Sequence, residues 1–192
     1  MKKCMRILKV RNKNEFRCVF SMEEIIRIPD ERIAVLIGTN GATRKSITRP
    51  TKTKIDIDSH NGEVTIIGEG ENFVKAVDII KAIGRGFSPK RALTLLGDNY
   101  LFKIVEIVTY SGKNRSAQEA KRGRVIGRRG EARREIEKKT GALISVYGKT
   151  IAIIATTDTI EEATDAVEML LAGAAHETME HFLEDKHERF KL

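Results

Sequence analysis

Two short segments of this 192-residue chain place glycines three apart, between an apolar stretch and a basic one. The first reads Ile37-Gly38-Thr39-Asn40-Gly41-Ala42-Thr43-Arg44-Lys45, and the second Ile126-Gly127-Arg128-Arg129-Gly130-Glu131-Ala132-Arg133-Arg134. Such a pair lets the backbone turn sharply where a Cβ would be in the way. A helix beginning straight after the turn offers unbonded N–H groups and the positive end of its dipole to an anion. Phosphate is the anion this chemistry suits best. In the second segment arginine fills both positions between the glycines, no acidic residue intervenes, and Arg124, Arg133 and Arg134 flank the loop. In the first, Thr39 and Asn40 supply hydrogen-bond donors without charge, and the cations lie downstream at Arg44, Lys45, Arg49, Lys52 and Lys54. The same residues also admit a plainer reading, in which the glycines merely join two helices and the arginines form a solvated face.

The charge distribution favours the phosphate reading. Lys and Arg number 35 against 27 Asp and Glu, a net charge of +8. Lys113 to Lys149 holds 12 basic and 4 acidic residues, whereas Thr157 to Leu192 holds 3 basic and 10 acidic. The basic surface is therefore local and centred on the second glycine loop, as expected of a nucleic-acid footprint. Cys4 and Cys18 stand in no Cys-x-x-Cys arrangement and imply a reducing compartment. No run of 18 apolar residues predicts a membrane span. The N-terminal Leu8-Lys9-Val10 is interrupted by charge and makes no signal-peptide core, so a cytoplasmic location is expected.

The elements that must hold these loops can be read in order. Residues 1–21 form a basic arm or a short hairpin around Arg11-Asn12-Lys13-Asn14. Met22 to Ile28 reads as a strand, and Asp30 as the cap of a helix through Ile37. A second helix follows the loop and is halted at Pro50. Lys54 to Asp58 alternates as a half-buried strand does. His60-Asn61-Gly62 turns it back into Val64 to Ile67. Phe73, Val74, Val77, Ile80 and Ile83 mark one face of a helix. Ser88-Pro89 opens a short helix within a linker of residues 87–99. The second half repeats this plan: a strand region from Tyr100 to Tyr110, a helix from Ser116 to Ile126, the loop, and a helix to Thr140. A hairpin about Gly148-Lys149 follows, then a helix to Ala172, with Asp158 and Glu161 as a capping-box-like start.

The halves align without a gap at an offset of 89, which pairs Gly38 with Gly127, Gly41 with Gly130, Lys45 with Arg134, Ile47 with Ile136, Thr51 with Thr140, Ile55 with Ile144 and Ile57 with Val146. Beyond the hairpin turn the offset becomes 87, which a duplicated domain tolerates in a loop. Each half thus reads β-α-α-β-β-α with Gly-x-x-Gly between its first two helices. That order resembles the type I KH domain, a reader of RNA and single-stranded DNA. The resemblance implies an α+β protein with two such domains, at 22–86 and 100–175, and an extra acidic, amphipathic C-terminal helix over 176–192. It implies that Gly38, Thr39, Asn40 and Gly41, with Arg44 and Lys45, and Gly127, Arg128, Arg129 and Gly130, with Arg124, Arg133 and Arg134, grip a sugar–phosphate backbone. Bases then lie in an apolar groove between the second helix and the middle strand, where Ile126, Ile144 and Val146 form the floor.

Leu96-Gly97-Asp98-Asn99-Tyr100-Leu101-Phe102-Lys103-Ile104-Val105-Glu106-Ile107, Lys138-Lys139-Thr140-Gly141-Ala142 and Val146-Tyr147-Gly148-Lys149-Thr150-Ile151-Ala152-Ile153 are similar to the Dim-two, or partner-of-Nob-one, family. The likeness spans residues 22 to 185, in a tandem-KH form that looks archaeal. It implies a monomeric small-subunit assembly factor that binds single-stranded rRNA near the 3′ end. The Nob-one endonuclease or a translation initiation factor is the implied protein partner. Two alternatives stay open: a KH subunit of an RNA-degradation or translation complex, and a protein-docking scaffold using the C-terminal helix, whose stripe is Met179, Phe182, Leu183 and Phe190. Catalysis finds no support in the residues. His176 and His181 are five apart and so lie about 140° apart around a helix, which rules out a paired zinc-ligand motif. Gly68-Glu69-Gly70 has Phe73 where a third glycine belongs, and Ser111-Gly112-Lys113 lacks the P-loop's first glycine. No catalytic residue, metal site or cofactor is expected.

Overall fold

A computed structural model describes residues 3–12 and 15–189, with side chains described between residues 21 and 186. The chain divides into two units, Met1–Leu96 and Gly97–Leu192. In the first, β1 (Lys3–Asn12) and β2 (Glu15–Arg27) form a long antiparallel hairpin, from Lys3 opposite Glu24 to Asn12 opposite Glu15. Residues 3–12 and 15–20 are thus strand, and Lys13 and Asn14 of the expected turn lie outside the described residues. β2 continues past the hairpin to pair with β4 (Glu63–Gly68), which also pairs with β3 (Lys54–Asp58), giving the order β1-β2-β4-β3. Of three helices, α2 (Ala42–Thr51) and α3 (Gly70–Gly84) pack on this sheet, and α1 (Asp30–Ile37) packs against both of them.

The second unit repeats the plan without the extra hairpin. β5 (Tyr100–Glu106), β6 (Leu143–Tyr147) and β7 (Thr150–Thr156) form an antiparallel sheet in the order β5-β7-β6. Helices α6 (Arg115–Ile126), α7 (Glu131–Thr140) and α8 (Ile160–Ala172) correspond to α1, α2 and α3, with α9 (His176–Arg189) added at the end. The strand carrying Ile144 and Val146 is therefore the sheet's edge. The central strand is β7, whose residues Thr150 to Ala155 are all buried, as a strand flanked on both sides requires.

Several local readings need correction. Pro50 does not stop α2, which continues to Thr51 before Lys52 takes a left-handed φ of 52°. A proline in the last turn removes one bond of a ladder that is already ending. Pro29 holds the cap position before α1, and Asp30 and Glu31 fall in the first turn, where the dipole favours negative charge. At α8 the cap residue is Thr159 rather than Asp158, and Glu161 reaches Lys103 at 2.7 Å instead of folding back. The strand region after Tyr100 stops at Glu106, and a short helix, α5 (Val108–Ser111), occupies the rest. Val74 of α3 is exposed, while Ala76, Ile79 and Ala82 join the buried face.

The segment read as a linker largely belongs to the first unit. Ser88 accepts a hydrogen bond from the Arg91 N–H and starts α4 (Pro89–Ala92), which passes into a 3-10 turn over Leu93–Leu96. Phe87, Ala92 and Leu95 are buried, with α4 and the turn packed against α3. The C-terminal helix likewise joins its own unit. Met179 and Leu183 are buried in the second core beside Ile136, Val167, Leu170 and Leu171, and Phe182 packs against that core. Phe190 lies outside the described residues.

Candidate nucleic-acid interface

The two glycine loops have the same backbone despite sharing only their glycines. Gly38 stands at φ 71°, ψ 172° and Gly127 at φ 73°, ψ 177°. Asn40 and Arg129 are both left-handed, at φ 52°, ψ 29° and φ 50°, ψ 23°. Gly41 and Gly130 close the loops at φ 74° and 78°, each with ψ 19°.

The glycines in each loop do different work. A Cβ on Gly38 would sit 2.3 Å from Thr43 Oγ1, and one on Gly127 would sit 2.7 Å from the Ala132 Cβ and N. The first glycine thus lets the loop lie against the start of the next helix. At Gly130 nothing lies within 4 Å, so the second glycine is needed for its left-handed backbone alone and the space beyond it is open. No side chain caps the start of α2 or α7, which leaves their N-terminal dipoles facing outward from the loops. Arg128, Arg129 and Arg134 are exposed around the second loop; Thr39, Asn40, Arg44 and Lys45 are exposed around the first. Lys45 Nζ donates to the Asn40 carbonyl at 3.3 Å, so this cation also braces its own loop.

Not every residue assigned to the interface belongs there. Arg124 points away from the loop. Its guanidinium donates to the carbonyls of Leu170, Gly173 and Ala174 at 3.3, 3.1 and 2.6 Å and so closes the C-terminus of α8. Lys121 donates to the Leu171 carbonyl in the same place. In the first unit Arg32, which aligns with Lys121, serves α3 likewise by donating to Ile83 and Phe87 at 2.8 and 2.6 Å. His176 faces the Arg124 carbonyl at 2.9 Å, an arrangement that holds the end of α6 against the start of α9. Arg133 sits 3.7 Å from Glu137 and only partly faces solvent.

The apolar floor also differs from expectation. Ile126 is 36% exposed, whereas Ile144 is 1% exposed and its side chain belongs to the core. Val146 is half-buried and packs against that core. What Ile144 presents at the strand edge is its backbone. Its N–H points off the edge of β6 and donates to Glu137 Oε1 of α7 at 2.9 Å. Sequence reasoning missed Glu137 because a carboxylate within a basic helix looks like an ordinary i,i+4 partner of Arg133. Its tie to the strand depends on the distance between α7 and β6.

A strand edge beside a helix that follows a Gly-x-x-Gly turn, occurring twice on the same backbone, defines a tandem KH protein. Comparison with known sequences agrees: residues 23–82 match the KH domain family, and residues 101–188 match the eukaryotic type KH-domain (KH-domain type I). The KH domain-containing protein MJ0443 of Methanocaldococcus jannaschii is 43% identical over 173 residues, which are 88% of this chain and 75% of that protein. Among solved structures, Dim2p from Pyrococcus horikoshii is 45% identical with a TM-score of 0.77, covering 85% of this chain and 98% of that one. The a/eIF2alpha–aDim2p–rRNA complex from the same organism contains a chain 44% identical with a TM-score of 0.81, covering 88% and 96%. The chain belongs to the archaeal Dim2, or partner-of-Nob-one-like, family of RNA-binding KH proteins.

Proposed function

We propose that this protein is a non-enzymatic assembly factor of the small ribosomal subunit that holds single-stranded rRNA near its 3′ end. The second glycine loop is the main grip. The observation that carries this reading is the pair of exposed arginines, Arg128 and Arg129, on a loop whose backbone is shared with an uncharged copy. Geometry alone serves both loops, and charge distinguishes the one suited to phosphate. A relative of 44% identity solved with rRNA supports the choice of RNA. That complex also holds a/eIF2alpha, which supports a translation initiation factor as protein partner. The Nob-one endonuclease is the second partner we propose, on family resemblance.

Changing Arg128 and Arg129 together to Asp tests the reading. Binding of a single-stranded fragment from the rRNA 3′ end should be lost at moderate salt while the circular dichroism spectrum is unchanged. Affinity that survives would remove the second loop from the interface. Sequencing RNA crosslinked to the protein in cells tests the assembly role. Enrichment of small-subunit rRNA ends is expected, and a spread of mRNA fragments would favour a subunit of an RNA-degradation complex instead.

A further inference from the structure

The second helix of the first unit carries a charge pattern that its copy lacks. From Ala42 to Lys54 stand five cations, Arg44, Lys45, Arg49, Lys52 and Lys54, and no acidic residue. All five are exposed. Lys45, Arg49 and Lys52 recur at i, i+4 and i+7, so they share the face of α2 turned away from the buried Ile47 and Thr51. The row is about 10 Å long at the rise of a helix, and Lys54, which opens the edge strand β3, extends it. Lys45 donates to the Asn40 carbonyl, and none of the five makes an ion pair among the described residues. In the second unit the aligned stretch, Glu131 to Leu143, holds four basic and three acidic residues. There Arg133 faces Glu137 at 3.7 Å, and Lys139 faces Glu135 at 3.9 Å. A helix face that only has to be soluble mixes its signs in this way. Like charges one turn apart repel, and a polyanion laid along them relieves that repulsion.

We propose that this row is a second RNA site, one that takes the sugar–phosphate backbone of double-stranded RNA. It goes beyond the single-strand reading above and does not depend on it. Sequence-tolerant sites for single strands pair their cations with aromatic faces on which bases stack. In the first unit the only aromatic side chains among those described are Phe73 and Phe87, and both are buried. A row of cations without such a platform can hold phosphates but gives unstacked bases nothing to lie on. A duplex keeps its bases stacked on one another and offers its phosphates outside, and double-stranded RNA is recognised largely by that shape. The two units thus divide the work, the second gripping a strand with its loop and the first a duplex with its helix face.

The test uses the full chain and a variant combining Arg49→Gln, Lys52→Asn and Lys54→Gln, asparagine being at ease in the left-handed backbone of Lys52. Fluorescence anisotropy is read against a blunt RNA duplex of about 16 base pairs, the span of a duplex-binding domain. A single strand of about ten nucleotides and polyglutamate are titrated alongside. The variant should bind the duplex at least about tenfold more weakly at moderate salt, and its salt slope should fall by up to about 2.7, three contacts at about 0.9 each. Its affinity for the single strand should change by less than about twofold. Arg128→Asp with Arg129→Asp should do the reverse, losing the single strand and keeping the duplex. If the triple variant fails to fold, Arg49→Gln alone decides, with a slope lower by about 0.9. A wild-type chain that ignores the duplex, or a variant with the parent's duplex slope, overturns the proposal. So does a variant that weakens both RNAs alike, which would put the row on the path of the single strand. A variant deficient only towards polyglutamate would give the row to an acidic protein and overturn the proposal too. Duplex results as expected, with single-strand binding untouched by the loop variant, would uphold this site and overturn the reading of the second loop alone.

Discussion

Arginines placed next to each other in the second unit have opposite duties, decided by which way each faces. Arg128 and Arg129 project from a loop into solvent, while Arg124, three residues before that loop, donates to three carbonyls at the end of α8. Unpaired helix-end carbonyls are costly, and a charged donor to them contributes more than a neutral one. Arg124→Ala should therefore destabilise the second unit by about 1–2 kcal/mol in urea unfolding, the lower part of the range for charged hydrogen bonds because the site is half-exposed. Its effect on the salt dependence of RNA binding should be near zero. A fall of about 0.7 in that slope would return Arg124 to the phosphate interface. From the sequence alone these roles look identical, since spacing from a Gly-x-x-Gly turn does not reveal whether a guanidinium meets water or a carbonyl. Ile144 escaped for a related reason. An apolar side chain suits a groove floor and a core alike; in the fold it lies in the core, and its N–H faces the strand edge.

At the scale of elements, the helices and the duplicated order were legible because apolar periodicity and the glycine turns act locally. Boundaries set by tertiary contacts were not. Thr159 rather than Asp158 begins α8, and Glu161 pairs with Lys103 on β5, across 58 residues. The C-terminal helix shows what such contacts add. It is tied to α7 by Lys139 and Glu184 at 2.7 Å, and Met179 and Leu183 sit beneath it in the core. Leu183→Ala should cost about 2–5 kcal/mol in the stability of the second unit, measured by thermal or urea unfolding. The hydrogen bond from Lys139 holds the Glu184 carboxyl below the usual glutamate range, and the same bond raises the Lys139 ammonium. The Glu184 contribution is thus complete above the ordinary carboxylate value and lost as pH falls through the lowered one. That of Lys139 lasts until the pH climbs past the ordinary lysine value and is lost through the raised one. Amide protection factors in α9 should therefore hold steady across neutral pH and decline in acid below the glutamate range. Both groups are exposed, so the decline should be modest, and in Glu184→Gln it should vanish.

For the whole molecule, the sequence carries a basic centre and an acidic end, and the two glycine loops share one geometry while differing in charge. Asn40 and Arg129 hold the same left-handed conformation, a strain that asparagine accepts more readily than arginine. The first loop thus already has the backbone its charged counterpart adopts at greater strain. Thr39→Arg with Asn40→Arg should still fold, at a small cost in stability, because Arg129 holds the same conformation in the second loop. It should gain affinity for single-stranded RNA, with a salt slope steeper by up to about 1.4 if both new cations meet phosphate. An unchanged slope would mean that the first unit presents its loop where no strand can reach it. Duplication copied a mechanical part whose shape answers to its glycines, and the two positions between them became free to drift. Such a protein can gain or lose a point of attachment by two substitutions, without refolding anything.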